Sequence, residues 1–144
     1  RAILAGLGKI DDFNVFGEDY DTPDGTAIRD YIHVTDLARA HVAACRYLLD
    51  GGQTDQFNVG VGHGYSVLDI VTAVSKALGV DVPHQIRSRR AGDPPKLVAD
   101  PSKIRQRLGF EACHSDLSNI IETAVAWHRK DWVASVASLY RQAE

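Results

Sequence analysis

The sequence predicts an α/β fold in which helix predominates and the strands are short. Two observations carry this expectation. Segments near 35–50, 66–78 and 116–128 repeat apolar residues at helical spacing between residues that start and stop helices. Between them, brief apolar runs end at glycine, proline and aspartate, which leaves no room for long strands. The chain has 144 residues, 44% of them hydrophobic and 24% charged, enough apolar material for a core of domain size.

The first stretch, Ala2 to Gly8, reads as the end of a helix that Gly6 and Gly8 would stop. Asn14-Val15-Phe16-Gly17 reads as a short strand, followed by a turn-rich segment holding Pro23, Asp24 and Gly25. Residues 28–34 alternate. Ile28, Asp30, Ile32 and Val34 share one face, and Arg29, Tyr31 and His33 share the other, as on a half-buried strand. Thr35 or Asp36 is placed to cap the next helix, whose Leu37, His41, Ala44, Cys45, Leu48 and Leu49 form a stripe ended by Gly51-Gly52.

Residues 56–60 are a further strand candidate, leading through Gly60-x-Gly62-x-Gly64 into a helix. Ser66 and Asp69 stand at capping-box spacing before its stripe of Val67, Ile70, Val71, Val74 and Leu78. Short strands are expected at 82–86 and 96–98, around an arginine-rich turn. Asp100-Pro101 opens a short helix closed by Gly109. The last helix starts near Ser115 or Asp116 and continues or restarts near Asp131 toward Tyr140.

Composition excludes several function classes. The net charge of −3 offers no general attraction to nucleic acid or anionic membrane, and the densest basic spot, 87–90, is too short for a polyanion track. No run of membrane-spanning length occurs. Cys45 and Cys113, the only cysteines, form no C-x-x-C pair, so reduced thiols in a cytoplasmic protein are expected. Cys45, on a helical stripe, is expected in the core. The six histidines show no metal-ligand spacing with cysteine or carboxylate. With no methionine and Arg1 in first place, further sequence is expected upstream.

Three features suggest ligand chemistry. The Gly60-x-Gly62-x-Gly64 turn before a helix suits phosphate oxygens, but Tyr65 stands where a dinucleotide fingerprint needs glycine, which favours a plain tight connection. Arg87-Ser88-Arg89-Arg90-Ala91-Gly92-Asp93 offers guanidinium forks for phosphate and a carboxylate for sugar hydroxyls. A solvated charged loop fits the same residues equally well. Arg29, beside Tyr31 and His33, is either a second phosphate contact or a partner of Asp30 or Asp36. His33 reads better as structural than as a base.

Taken together, Asn14-Val15-Phe16-Gly17, Arg29-Asp30-Tyr31-Ile32-His33-Val34-Thr35-Asp36-Leu37-Ala38, Phe57-Asn58-Val59-Gly60, Ser66-Val67-Leu68-Asp69 and Arg89-Arg90-Ala91-Gly92-Asp93 resemble UDP-glucose 4-epimerases. Their order and spacing match that family over nearly the whole chain. The resemblance implies the C-terminal, substrate-binding portion of an extended short-chain dehydrogenase/reductase, with residues 28–50 packing on an N-terminal Rossmann domain. It implies that Asn14, Val15 and Phe16 line the uracil pocket and that Val67 lies near the base. Arg29 and Arg90 would meet the diphosphate, Asp93 the ribose, with Ala91 and Gly92 in the same turn and Tyr31 in support.

The same resemblance implies a UDP-sugar substrate, NAD held by the N-terminal part, and a homodimeric parent that interconverts UDP-glucose and UDP-galactose. Neither the family's Gly-x-x-Gly-x-x-Gly nor its Tyr-x-x-x-Lys is present. Four residues after Tyr20, Tyr31, Tyr47, Tyr65 and Tyr140 stand Asp24, Thr35, Gly51, Asp69 and Glu144. No catalytic residue is therefore assigned, and the chain alone is expected to be inactive. Where many relatives carry an aromatic after the arginine turn, this chain has Leu97. A related UDP-sugar epimerase or dehydratase, or a non-catalytic binding fragment, fits the same motifs.

Overall fold

A helix whose apolar stripe is closed by good caps needs only a facing surface, and two such helices organise this chain. The computed structural model describes residues 1–130, so the restart expected near Asp131 lies outside the described residues. Helix α1 spans Ala2–Gly6 and strand β1 Asn14–Phe16. Strand β2 is Ile28–Arg29, followed by helix α2, Val34–Leu49, and strand β3, Tyr65–Ser66. Helix α3 covers Val67–Leu78, strand β4 Gln85–Arg87 and strand β5 Lys96–Leu97. Helices α4, Ser102–Leu108, and α5, Leu117–Arg129, complete the order. The fold is α/β, helix-rich and short-stranded, as the sequence predicts.

Helix α3 begins with the capping box expected at Ser66. The Ser66 hydroxyl accepts from the Asp69 N–H at 2.9 Å, and the Asp69 carboxylate accepts from the Ser66 N–H at 2.9 Å. Its inward Val71 and Val74 join Ile121 and Val125 of α5, Ala2 and Ala5 of α1, and Val15 and Val82 in one core. Val74 is completely buried, worth on the order of 1.5–3 kcal/mol relative to exposure. Asp116, one of the two residues expected to start α5, caps it by accepting from the Asn119 N–H.

The strands form two small sheets. β1 runs parallel to β4, with Asn14 opposite Gln85 and Phe16 opposite Arg87. β2 lies between β3, antiparallel, and β5, parallel. The loop from β1 to β2 folds tightly on Gly25, whose φ is +77° and where a Cβ would fall 2.0 Å from the Glu18 carbonyl oxygen. No other residue type fits there.

Several expectations fail, each for a physical reason. The alternation over 28–34 is strand only at Ile28–Arg29. The Asp30 N–H makes one more cross-strand bond, to the Leu97 carbonyl, while its carboxylate takes the N–H groups of Val61, Gly62 and Ala99; further on, the His33 N–H donates to Ser115 Oγ rather than to a strand. His33, not Thr35 or Asp36, caps α2: its Nδ1 accepts from the Thr35 N–H at 3.0 Å. His33 is thus buried rather than on an open face, while Val34 is 73% exposed.

Residues 56–60 form no strand. Phe57 and Val59 anchor them by packing on a second core of Ala40, Ile104 and Phe110. In α4, Pro101 is the N-cap residue itself, and Asp100 accepts from the Ser102 N–H. The apolar stripe of α2 does not face this core. Val34, Leu37, Cys45, Leu48 and Leu49 are all exposed, so the core position expected for Cys45 is wrong. What α2 turns inward is Asp36 and Ala40.

Candidate functional site

Phosphate recognition needs guanidinium groups that internal carboxylates have not already claimed, so the partners of each arginine decide what the 87–95 segment can do. Arg87 Nε donates to Asn14 Oδ1 at 3.0 Å, tying β4 to β1. Arg89 stacks on Tyr20, 4.3 Å to the ring centroid, and pairs with Asp19 at 2.7 Å. Arg90 differs. Its guanidinium carbon lies 3.9 Å from the Phe16 ring centroid, and it has no ion pair among the described residues.

Arg29 is half-buried and reaches across from β2. Its NH2 group bonds Asp93 Oδ1 at 2.5 Å and its NH1 group donates to the Pro94 carbonyl at 2.9 Å. The Ile28 N–H donates to the Pro95 carbonyl, so strand β2 and the proline turn are held together. The turn itself is closed by the Asp93 N–H donating to the Arg90 carbonyl at 3.3 Å. Ala91 and Gly92 form its exposed tip.

The structure therefore gathers Phe16, Arg29, Arg90 and Asp93 through residues far apart in sequence. Asn14 and Val15 belong to the same strand, with Val15 buried beneath it and Asn14 half-exposed. Val67, the first residue of α3, packs on the core that also holds Val15. Tyr31 is half-buried, and burial raises its phenol above the ordinary value, an effect that Arg29 opposes. Leu97 on β5 is 60% exposed.

The glycine turn is a plain connection rather than a phosphate cradle. The Asp30 carboxylate already occupies the anion position: it accepts from the Val61 N–H at 3.0 Å and from the Gly62 N–H at 3.0 Å. A Cβ at Gly60 would lie 2.6 Å from Asp30 Oδ2, which excludes a side chain.

The sequence offers Asp36 as a helix cap or a partner of Arg29, and in the structure it is neither but a hub. Asp36 is fully buried and accepts from Ser115 Oγ, the His114 N–H and ring, and Arg39. Burial pushes its carboxyl up, but the Ser115, His114 and Arg39 hydrogen bonds together hold it well below the ordinary carboxylate range. Its partners lie 77–79 residues away except for Arg39, and no local pattern announces them.

The model of the family described as GDP-mannose 4,6 dehydratase matches residues 15–123. Among curated relatives, a UDP-glucose 4-epimerase of Lactobacillus helveticus is 43% identical over 129 residues, covering 90% of this chain and 38% of that protein. The crystal structure of a UDP-glucose 4-epimerase from Brucella ovis in complex with NAD is 50% identical, with a TM-score of 0.84 over 88% of this chain and 39% of that one. A Bifidobacterium longum UDP-glucose 4-epimerase in complex with NAD+ and UDP is 39% identical, with a TM-score of 0.79 over 90% and 38%. The resemblance seen in the motifs is borne out. The chain spans less than two-fifths of the length of these relatives, and the shared portion is their C-terminal part.

Proposed function

We propose that this chain, which belongs to the GDP-mannose 4,6 dehydratase family, grips the nucleotide of a UDP-sugar within an NAD-dependent UDP-glucose 4-epimerase. The observation that carries the reading is Arg90, a cation without a carboxylate partner among the described residues, stacked on Phe16 and one turn from the Arg29–Asp93 pair. A flat base can lie along Asn14-Val15-Phe16 and a diphosphate can take up Arg90; ligand binding would part the Arg29–Asp93 pair, turning Arg29 to the diphosphate and Asp93 to the ribose hydroxyls. The Bifidobacterium relative crystallised with UDP supports this assignment.

In the whole protein, bound NAD would supply hydride removal at C4 of the hexose and its return to the opposite face. For the flat 4-keto sugar to turn over between those steps, the hexose must be held loosely and the nucleotide firmly. The residues here suit the firm end. Binding energy from the non-reacting nucleotide keeps the substrate in place while the reacting end rotates. No tyrosine of this chain has lysine four residues on, so proton transfer falls to the part of the longer protein not represented here.

We further infer that residues 28–50 pack against that other part. The exposed Val34, Leu37, Leu48 and Leu49 support this, since an apolar face of four large side chains is seldom left in water. The whole protein on this reading is a cytoplasmic homodimer; no helix among the described residues is long and apolar enough to cross a membrane. A second reading, a binding module without activity of its own, is favoured for the isolated chain by the missing Tyr-x-x-x-Lys.

Calorimetric titration of the chain with UDP, uridine and ADP tests the assignment. The expected order is UDP tightest, uridine weakened by loss of the diphosphate, and ADP weakened by the wrong base. Equal binding of UDP and uridine would show that the arginines do not hold phosphate.

A further inference from the structure

The turn that leads into α5 collects donors for which nucleotide binding has no use. Cys113 Sγ lies 3.9 Å from Asp36 Oδ1 and 3.3 Å from His114 Nδ1. His114 Nδ1 lies 2.9 Å from Asp36 Oδ1, so a thiol, an imidazole and a carboxylate converge within 4.8 Å. Metal–ligand bonds of about 2.0–2.3 Å make tetrahedron edges of about 3.3–3.7 Å. Each of the three distances is within about 0.5 Å of that range.

The donors are also held as ligands need to be. Asp36 Oδ2 accepts from the His114 N–H and from Ser115 Oγ, each at 2.7 Å, which aims Oδ1 at the other two groups. Cys113 and His114 are exposed, so an ion has a path from solvent. A cation already stands in this place. Arg39 NH1 is 2.9 Å from Asp36 Oδ1 and 2.6 Å from Cys113 Sγ. Its side chain is 46% exposed and can swing outward.

We propose that Asp36, Cys113 and His114 form a three-ligand site for one divalent transition-metal ion of the zinc class, taken up in exchange for the Arg39 guanidinium. On binding, the Cys113 thiol proton passes to solvent and the thiolate ligates. The imidazole releases to solvent the Nδ1 proton that it shares with Asp36 in the metal-free chain, carries its remaining proton on Nε2, and ligates through Nδ1. Thiolate and carboxylate together balance the dication, and the fourth position remains open to water. The thiolate selects against magnesium and calcium, which prefer oxygen alone. Bound metal clamps the first turn of α2 to the entry of α5.

Cobalt(II), added to the full reduced chain, is the probe, because a thiolate ligand gives it a charge-transfer absorption that zinc then abolishes by displacement. The band should saturate at one ion per chain, vanish in Cys113→Ser and persist in Cys45→Ser. His114→Ala should weaken binding by about tenfold or more, and Arg39→Gln should tighten it. Zinc should raise the unfolding midpoint of the wild type and leave that of Cys113→Ser unchanged. Absence of a thiolate band in the wild type, its survival in Cys113→Ser, or weaker binding in Arg39→Gln would each overturn the proposal.

Discussion

Around Asp36, each carboxylate oxygen is met by donors from the chain itself, whereas around Arg90 the guanidinium meets only the face of Phe16 among the described residues. Both regions contain arginine, aspartate and an aromatic ring, so composition does not separate them. Saturation does. A buried charge with all its hydrogen bonds made is a structural joint, and its removal leaves orphans. An exposed charge with none made has its interaction free energy still to release, and a ligand can collect it.

Removing the joint should have the largest effect. Asp36→Ala leaves the buried Ser115 hydroxyl and the His114 N–H without an acceptor. The loss should be roughly 3 kcal/mol or more of stability, seen as a lower urea midpoint. Acid should act on the same group. Its folded-state value lies below the ordinary 3.8, so its contribution is present above that value and declines as pH falls toward the folded-state value. Stability measured by urea unfolding should therefore drop below about pH 5 in the wild type. The drop should be smaller in Asp36→Ala.

Arg90→Ala makes the opposite test. UDP affinity should fall by about 1.5–3 kcal/mol, that of a charge-assisted hydrogen bond, while the unfolding midpoint stays put. An unchanged UDP affinity would remove Arg90 from the site. Next in size is the cap of α3. Ser66→Ala should cost about 1 kcal/mol in denaturant, with Asp24 losing a partner at the same time. Burial raises the Asp24 carboxyl, and bonds from Ser66 and Thr26 outweigh that to lower it.

The smallest effect is expected at Arg89, which resembles Arg90 in sequence but is already paired with the exposed Asp19. Arg89→Ala should change UDP affinity little and stability by less than about 1 kcal/mol. On the outer face of α2, Leu48→Ser paired with Val34→Ser should leave stability nearly unchanged. Sedimentation should then show less self-association of the chain, because these side chains are largely exposed in the described fold.

The helices were legible where their signals are local. Ser66 with Asp69, Asp116 before Leu117, and the Val71–Val74 stripe all act within one or two turns, and a reader of the sequence sees every participant. The stripe of α2 was legible as a stripe, but its direction was not. Nothing in Leu37 or Leu48 says that they stand exposed while Asp36 and Ala40 turn inward. The alternation of 28–34 misled for a related reason. Side-chain periodicity does not show that the Asp30 carboxylate will take the backbone donors of a loop 31 residues on.

The sequence by itself determined the α/β class, the caps and turns, and the motif blocks that mark the family, because these depend on neighbours along the chain. The tertiary structure alone decided which charges are spent and which are free. Whether Arg29 meets Asp30, Asp36 or Asp93, and whether Cys113 lies beside a carboxylate and an imidazole, depends on contacts across more than 60 residues. Such contacts are set by how helices pack, and packing is a property of the whole chain rather than of any segment.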